Sequence, residues 1–355
     1  MAIPETLYLE GRPSAHPHHK KLAESLTEDH FYVDKILRWQ DKNYGKVYNF
    51  IAWLVNAIFF PNKKKYKYIL VDNLHPSPVL MRKLGLLNKN QKLICYLGSH
   101  TLYFTYSGFF SPSVTWLHKW LLNNYDYLFC EGKMSCEIAS ALINNKKKNK
   151  IFYSFLGIPE KRIEELSKIL PNLKSLNILF IANGPGEFRK FYKGLDLAVD
   201  SVLKAKKNIP DLKLFIAGHW DDSILKGIKD HLPYEFKDDF VFLGSVQNLD
   251  GLYKKCSLYL HPSRGDAFPT SSLEAMNAGL VPILSEWTGT KEIFMTRFPE
   301  LIVQLDLDSI ESKILWYFKL NLEQKKKISD SIRECSAKYS AERSISHFKD
   351  QFKKF

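Results

Sequence analysis

Cysteine is scarce in this chain and follows no pattern. The five cysteines (Cys95, Cys130, Cys136, Cys256 and Cys335) have neither metal nor redox spacing, and their odd count argues against a disulfide framework. A reducing cytoplasm is expected. The N-terminus, MAIPETLYLEGRP, lacks a basic stretch followed by an apolar one, so no secretory signal is read there. A membrane-crossing segment is missing too. Val47 to Phe60, VYNFIAWLVNAIFF, is apolar almost all round, but at about 14 residues it falls short of the roughly 20 that span a bilayer. It reads either as a buried helix or as an interfacial helix lying on a membrane. Phe109 to Leu122 offers a second aromatic, weakly basic stretch of the interfacial kind. His16, His18 and His19 have the spacing of no common metal ligand set. With 45% hydrophobic and 25% charged residues, a disordered class is excluded.

Positive charge is present in excess, and unevenly. Residues 1–172 carry 24 Lys and Arg against 14 Asp and Glu, whereas residues 173–355 carry 27 against 24. The excess gathers in the runs Lys63-Lys64-Lys65-Tyr66-Lys67 and Lys146-Lys147-Lys148-Asn149-Lys150. Runs of this kind suit an anionic lipid surface, an acidic acceptor or nucleic acid, and equally suit solvated loops. No nucleic-acid module accompanies them, and a nucleic-acid partner is not expected.

At 355 residues the chain exceeds one ordinary core. In the second half, strand-like runs at Leu176 to Ala182, Leu212 to Ala217, Phe240 to Leu243, Leu258 to His261 and Val281 to Leu284 alternate with helical patterns. One helical face runs from Lys193 to Lys204. In the first half the candidates are Leu7 to Glu10, Tyr68 to Asp72, Leu93 to Leu97, Tyr127 to Cys130 and Ile151 to Phe155. The rhythm predicts two α/β domains with mostly parallel sheets, joined through the polar segment Pro159 to Asn177. Sites in such sheets lie at the carboxyl ends of strands, so a cleft between the domains is the expected location.

Two loops carry the chemistry. The stretch from His261 to Ile293 places Asp266 and Glu274 eight residues apart across a strand end, a loop of small residues and a helix start. Pro269 suits the first turn of that helix, and Thr270, Ser271 and Ser272 surround its N-terminus, where free amides and the dipole favour an anion. A carboxylate beside an anion site binds neutral hydroxyls such as those of a sugar. Ser271-x-x-Glu274 is also a capping box, and on that motif alone capping is the simpler reading. The second loop, Asn183 to Gly194, follows the first strand of the second half. Gly184 and Gly186 there permit an unusual backbone path, and Arg189, Lys190 and Lys193 supply cations suited to a diphosphate. It matches neither the phosphate-loop nor the dinucleotide fingerprint.

Three stretches, Ile181 to Gly218, Val241 to Ser263 and Asp266 to Ser285, together resemble the glycosyltransferases of family 4. The first half is similar only in outline, at CYLGSHT (Cys95 to Thr101) and YDYLFCEGKMSCEIASAL (Tyr125 to Leu142). The resemblance implies a GT-B architecture of two Rossmann-like domains facing each other across a cleft. It assigns residues 1–172 to an acceptor-binding domain, 173–335 to a nucleotide-sugar-binding domain and 336–355 to a helix packing back on the first. It implies a retaining, metal-independent transfer from a nucleotide-diphosphate sugar, acting as co-substrate with no further cofactor, to a saccharide or lipid-linked acceptor. The setting would be cell-surface glycan synthesis, with the enzyme cytoplasmic or peripheral at the inner face of the membrane.

Residue by residue, the resemblance makes Glu274 the ribose ligand and Asp266 a ligand of the donor sugar, standing as Asp where the family usually has Glu. The backbone from Phe268 through Pro269 and Thr270 to Ser271 meets the diphosphate, with Arg189 and Lys193 as its cations and Lys190 as second choice. Gly244 and Val246 face the base, Gly11 lies near the donor, and His100 takes the place of the family's cleft histidine. A histidine merely satisfied at a strand end is the plain alternative for His100. Asp306-x-Asp308 imitates a metal motif and reads instead as a loop or helix cap. A different class of function stays open: a nucleotide-sugar or glycan-binding protein that has lost transfer.

Overall fold

The computed structural model describes residues 6–10, 21–22, 24–26, 30–32, 51, 66–98 and 100–354. Gly11, the three closely spaced histidines, nearly all of the Val47 to Phe60 stretch and Lys63 to Lys65 lie outside the described residues.

The chain divides into two compact units, residues 1–155 with 345–355, and residues 156–344. The first unit contains β1 (Thr6–Glu10), β2 (His30–Tyr32), β3 (Tyr68–Asp72), α1 (Pro76–Lys83), β4 (Lys92–Leu97), α2 (Thr101–Tyr106), α3 (Pro112–Asn124), β5 (Tyr127–Glu131), α4 (Gly132–Leu142) and β6 (Ile151–Ser154). Among the described residues its strands form one parallel sheet in the order β2-β1-β3-β4-β5-β6. The sequences YILVD of β3 and KLICYL of β4 are apolar without alternation, because a parallel sheet is covered on both faces.

The second unit contains α5 (Glu160–Ser167), β7 (Asn177–Ile181), α6 (Glu187–Lys193), α7 (Leu195–Ala205), β8 (Lys213–Ala217), α8 (Asp222–His231), β9 (Phe240–Gly244), α9 (Asp250–Lys255) and β10 (Leu258–His261). It continues with α10 (Thr270–Asn277), β11 (Val281–Ser285), β12 (Ile302–Val303), α11 (Leu307–Lys319) and α12 (Leu322–Ser336). Its sheet is also parallel, in the order β12-β11-β10-β7-β8-β9. Strand order reverses at β7, so the carboxyl ends of β7 and β10 form the switch point where open α/β sheets leave a crevice. Both loops singled out in the sequence start there.

The segment Pro159 to Asn177, expected as a linker, is built into the second unit. Its helix α5 packs on α10, and Arg333 of α12 donates to the carbonyls of Ile169 and Ala278, each at 2.9 Å. The division therefore falls after Phe155 instead of at 172/173. The last helix, α13 (Ala341–Phe352), begins in the second unit and from Ile345 belongs to the first. There Phe348 and Phe352 are buried with Tyr8, Leu26, Tyr96 and Phe129, the rings of Phe129 and Phe348 4.6 Å apart. Asp306 caps α11, its carboxylate accepting from the Ser309 amide at 2.7 Å. No helix among the described residues is long and apolar enough to cross a membrane.

Candidate active site

Strand β10 is buried throughout, and the period of two in a strand sends Tyr259 and His261 to the same face. Beyond it, residues 262–269 form a loop that lies against the junction of α6 and α7. Gly194, at φ +73°, lets the two loops touch: a Cβ there would sit 2.0 Å from the carbonyl oxygen of Pro262. Arg264 locks the same contact. Its amide donates to the Tyr192 carbonyl at 2.7 Å, its guanidinium grips both oxygens of Asp196 at 2.9 and 2.7 Å, and it lies 4.1 Å from the Phe191 ring centroid. On the other side the amide of Gly289 donates to the Asp266 carbonyl at 2.8 Å, and the Asp266 amide donates to the carbonyl of Trp287 at 3.0 Å. The loop is fixed from both flanks.

Asp266 is held by Lys193 Nζ at 2.5 Å and His261 Nε2 at 3.0 Å, both on Oδ2. Among the described residues no partner meets Oδ1. The side chains of Asp266 and Lys193 are 14% and 13% exposed, so the pair is largely desolvated yet open at one edge. Burial alone would raise the Asp266 pKa, but the Lys193 charge and the His261 hydrogen bond outweigh it and hold the carboxyl well below the usual range. His261 is fully buried, which lowers its pKa against the opposing pull of Asp266. The imidazole is therefore neutral at pH 7, with Nε2–H donating to the carboxylate. From His261 the chain of contacts continues through Nδ1 to Tyr259 Oη at 3.3 Å, and from there to Ser271 Oγ at 3.0 Å at the start of α10.

Helix α10 begins at Thr270, with Pro269 at the N-cap, one position earlier than its expected first-turn place. Among the described residues no side chain caps this N-terminus, which leaves its first amides available to an anion. Phe268 is buried beneath the loop. The capping box read at Ser271-x-x-Glu274 does not form. Both residues lie inside the helix, Ser271 turns to Tyr259, and Glu274 Oε2 accepts from Tyr253 Oη at 2.9 Å. Arg162 Nε stands 4.0 Å from Glu274 Oε1 while the same guanidinium pairs with Asp250 at 2.6 Å. The carboxylate of Glu274 is thus aimed by two residues, Tyr253 and Arg162, that the sequence did not single out.

The cations divide in role. Arg189 Nε donates to the Asn183 carbonyl at 2.7 Å, and Gly184, at φ +138°, leaves room for its stem where a Cβ would meet Cγ at 2.4 Å. Its Nη groups are not engaged among the described residues, and its guanidinium lies 4.8 Å from the Tyr192 ring centroid. Lys190 pairs with Glu187 at 2.5 Å, one helical turn away. Gly244 ends the edge strand β9 at φ +62° and Val246 is half-buried just beyond. His100, in the first unit, is half-exposed at the N-terminus of α2, its ring 5.8 Å from that of Phe104. Lys193 and Asp266 thus meet at the switch point, with Arg189 on the same Tyr192 ring as Lys193, Glu274 farther along α10, and Lys190 turned to Glu187. His261, Arg264, Tyr253 and Arg162 complete the set. A histidine two residues after a tyrosine in a buried strand was the one available signal for His261.

Residues 186–334 match the family model described as glycosyl transferases group 1. Over 117 residues the chain is 32% identical to the phosphatidylinositol N-acetylglucosaminyltransferase gpi3 subunit of Schizosaccharomyces pombe, covering 31% of this chain and 25% of that subunit. Among solved structures, the sucrose-phosphate synthase of Thermosynechococcus elongatus superposes with a TM-score of 0.71 at 16% identity, over 99% of this chain and 98% of that one. HepE of Anabaena, in complex with UDP and glucose, gives 0.70 at 12% over 99% and 100%. WaaG, a glycosyltransferase involved in lipopolysaccharide biosynthesis, gives 0.67 at 11% over 96% and 98%. The chain carries the GT-B fold, and its match to the group 1 glycosyl transferase model lies within the second unit.

Proposed function

We propose that this protein is a retaining glycosyltransferase that moves a sugar from a nucleotide-diphosphate sugar to a saccharide or lipid-linked acceptor in cell-surface glycan synthesis. The observation that carries the reading is the Lys193–Asp266–His261 cluster beside the uncapped start of α10. In this reading the α10 amides and the free Nη groups of Arg189 hold the diphosphate, and Glu274, aimed by Tyr253 and Arg162, takes the ribose. Asp266 Oδ1 accepts from a hydroxyl of the donor sugar. Lys193 keeps that carboxylate ionised and adds positive field at the leaving group. Lys190 stays a reserve cation, since Glu187 occupies it. Gly244 and Val246 meet the base through backbone, and His100 and Gly11 belong to the acceptor and donor side of the first unit.

The acceptor oxygen bonds to the anomeric carbon on the face from which the diphosphate leaves. The carbon–phosphate-oxygen bond breaks with its electron pair going to the diphosphate, whose oxygen takes the acceptor proton. Catalysis is then positional and electrostatic, and no protein nucleophile or metal is called for. A second reading, binding without transfer, draws on one observation: the charge of Lys193 is already spent on Asp266. Mixing the protein with nucleotide sugars and candidate acceptors separates the two. Transfer predicts acceptor-dependent release of nucleoside diphosphate. Thermal stabilisation by nucleotide, about 2.7 kcal/mol at 100 times the dissociation constant, with no release under any pairing would overturn transfer and leave binding.

A further inference from the structure

In the first unit the turn between α2 and α3 and the outer side of α3 expose large rings. Trp116 is 65% exposed, Phe109 52% and Tyr106 50%, with Leu117 beside them. These rings are held outward by packing beneath. Phe109 rests on Phe104 at 4.7 Å, Phe110 on His118 at 5.2 Å, and Trp116 stacks on Trp120 one turn along at 6.5 Å and 20°. The hydroxyl of Thr105 meets His118 Nδ1 at 2.7 Å and ties α2 to α3. An exposed aromatic platform on a braced support marks an interaction surface.

The charge around it selects the partner. No Asp or Glu occurs anywhere between Asp72 and Asp126, while Lys83, Lys89 and Lys119 are exposed in that stretch. Helix α1, which ends in Lys83, packs against α3. Trp and Tyr favour the headgroup level of a bilayer, where ring and dipole are both accommodated, and exposed lysines with no acidic neighbours in sequence add attraction to an anionic leaflet.

We infer that Tyr106, Phe109, Trp116 and Leu117, with Lys119 and Lys83, form the surface by which this protein docks on an anionic lipid membrane. The inference does not depend on the transfer reading: nucleotide binding in the second unit reports on that reading, and vesicle partition reports on this one.

The test is flotation of the full chain with phosphatidylcholine vesicles containing phosphatidylglycerol, against phosphatidylcholine alone. Partition to the anionic vesicles is expected to weaken with salt, and to fall at least about tenfold in the F109A/W116A double variant and roughly fivefold in K119E. Thermal midpoint and nucleotide binding should stay at the parent's values in both. W116A alone, in which the deleted ring is mostly exposed, guards against loss of packing at Phe109. Protein left in the soluble fraction at low salt, or partition unchanged in the double variant, overturns the proposal. So does self-association without lipid that W116A abolishes, since a second copy would then be the occupant.

Discussion

The two sheets have the same plan but spend their polar residues differently. In the second unit the loops at the switch point are pinned by side chains: Lys193 and His261 on Asp266, Arg264 on Asp196, Ser263 on Thr288 at 2.9 Å. In the first unit the comparable helices α2 and α3 are braced by aromatic contacts and turn large rings to the surface. The second is a rigid, desolvated cradle of near-balanced charge; the first has a basic, aromatic exterior. A site preorganised for one small charged ligand needs fixed dipoles. A surface meeting a broad partner needs area and a single sign of charge.

Three substitutions test that contrast. Lys193→Ala is expected to have the largest effect, because it strands the buried Asp266 carboxylate: stability falls by about 3 kcal/mol, read as a lowered denaturant midpoint, and transfer is lost with it. A variant as stable as the parent would show that the cradle is not preorganised by this pair. Arg189→Ala comes next and separates function from fold. Turnover should drop roughly a hundredfold, the scale of one preorganised donor at developing charge, while the thermal midpoint barely moves, since only one backbone carbonyl loses its partner. Equal loss of both would make Arg189 structural.

The smallest effect is expected from His261→Gln and is read against pH. The folded pKa of His261 is lowered, so below the unfolded value near 6.5 the unfolded chain binds the proton first and stability declines as pH falls. The parent should lose more stability than the variant between pH 6.5 and 5. Asp266 works at lower pH: its depressed pKa stabilises the fold above the usual carboxylate value, and that stability is lost as pH falls below about 4. Parallel pH profiles for parent and variant would mean that burial does not keep His261 neutral.

Much of the sheet architecture was legible because parallel strands are buried on both faces and read as short apolar runs. Tyr68–Asp72 and Leu258–His261 are found with the bounds read from sequence, and the other candidates differ by one residue at one end, or at both for Leu176 to Ala182. The strands β2 and β12, three and two residues long, carry no pattern long enough to read. Among the candidate site residues, Asp266, Glu274 and the cations of the Asn183 to Gly194 segment were visible because each lies in, or in the helix just after, a loop of small residues that follows a strand. Their wiring was not visible. Arg162 reaches Glu274 across more than a hundred residues of chain, and nothing local to either marks the pair.

By itself, the sequence determined the alternation of strand and helix, the basic first half and the two loops of the second unit, since these follow from period, composition and local backbone preference. Only the tertiary structure decided that Ser271 and Glu274 do not cap α10, that Lys193 is committed to Asp266 while the Nη groups of Arg189 stay unengaged among the described residues, and that the Pro159 to Asn177 segment belongs to the second unit. Those outcomes depend on which side chains are brought together by strand order. The energy of a charge depends on its partners and its distance from water, and neither is a property of sequence position.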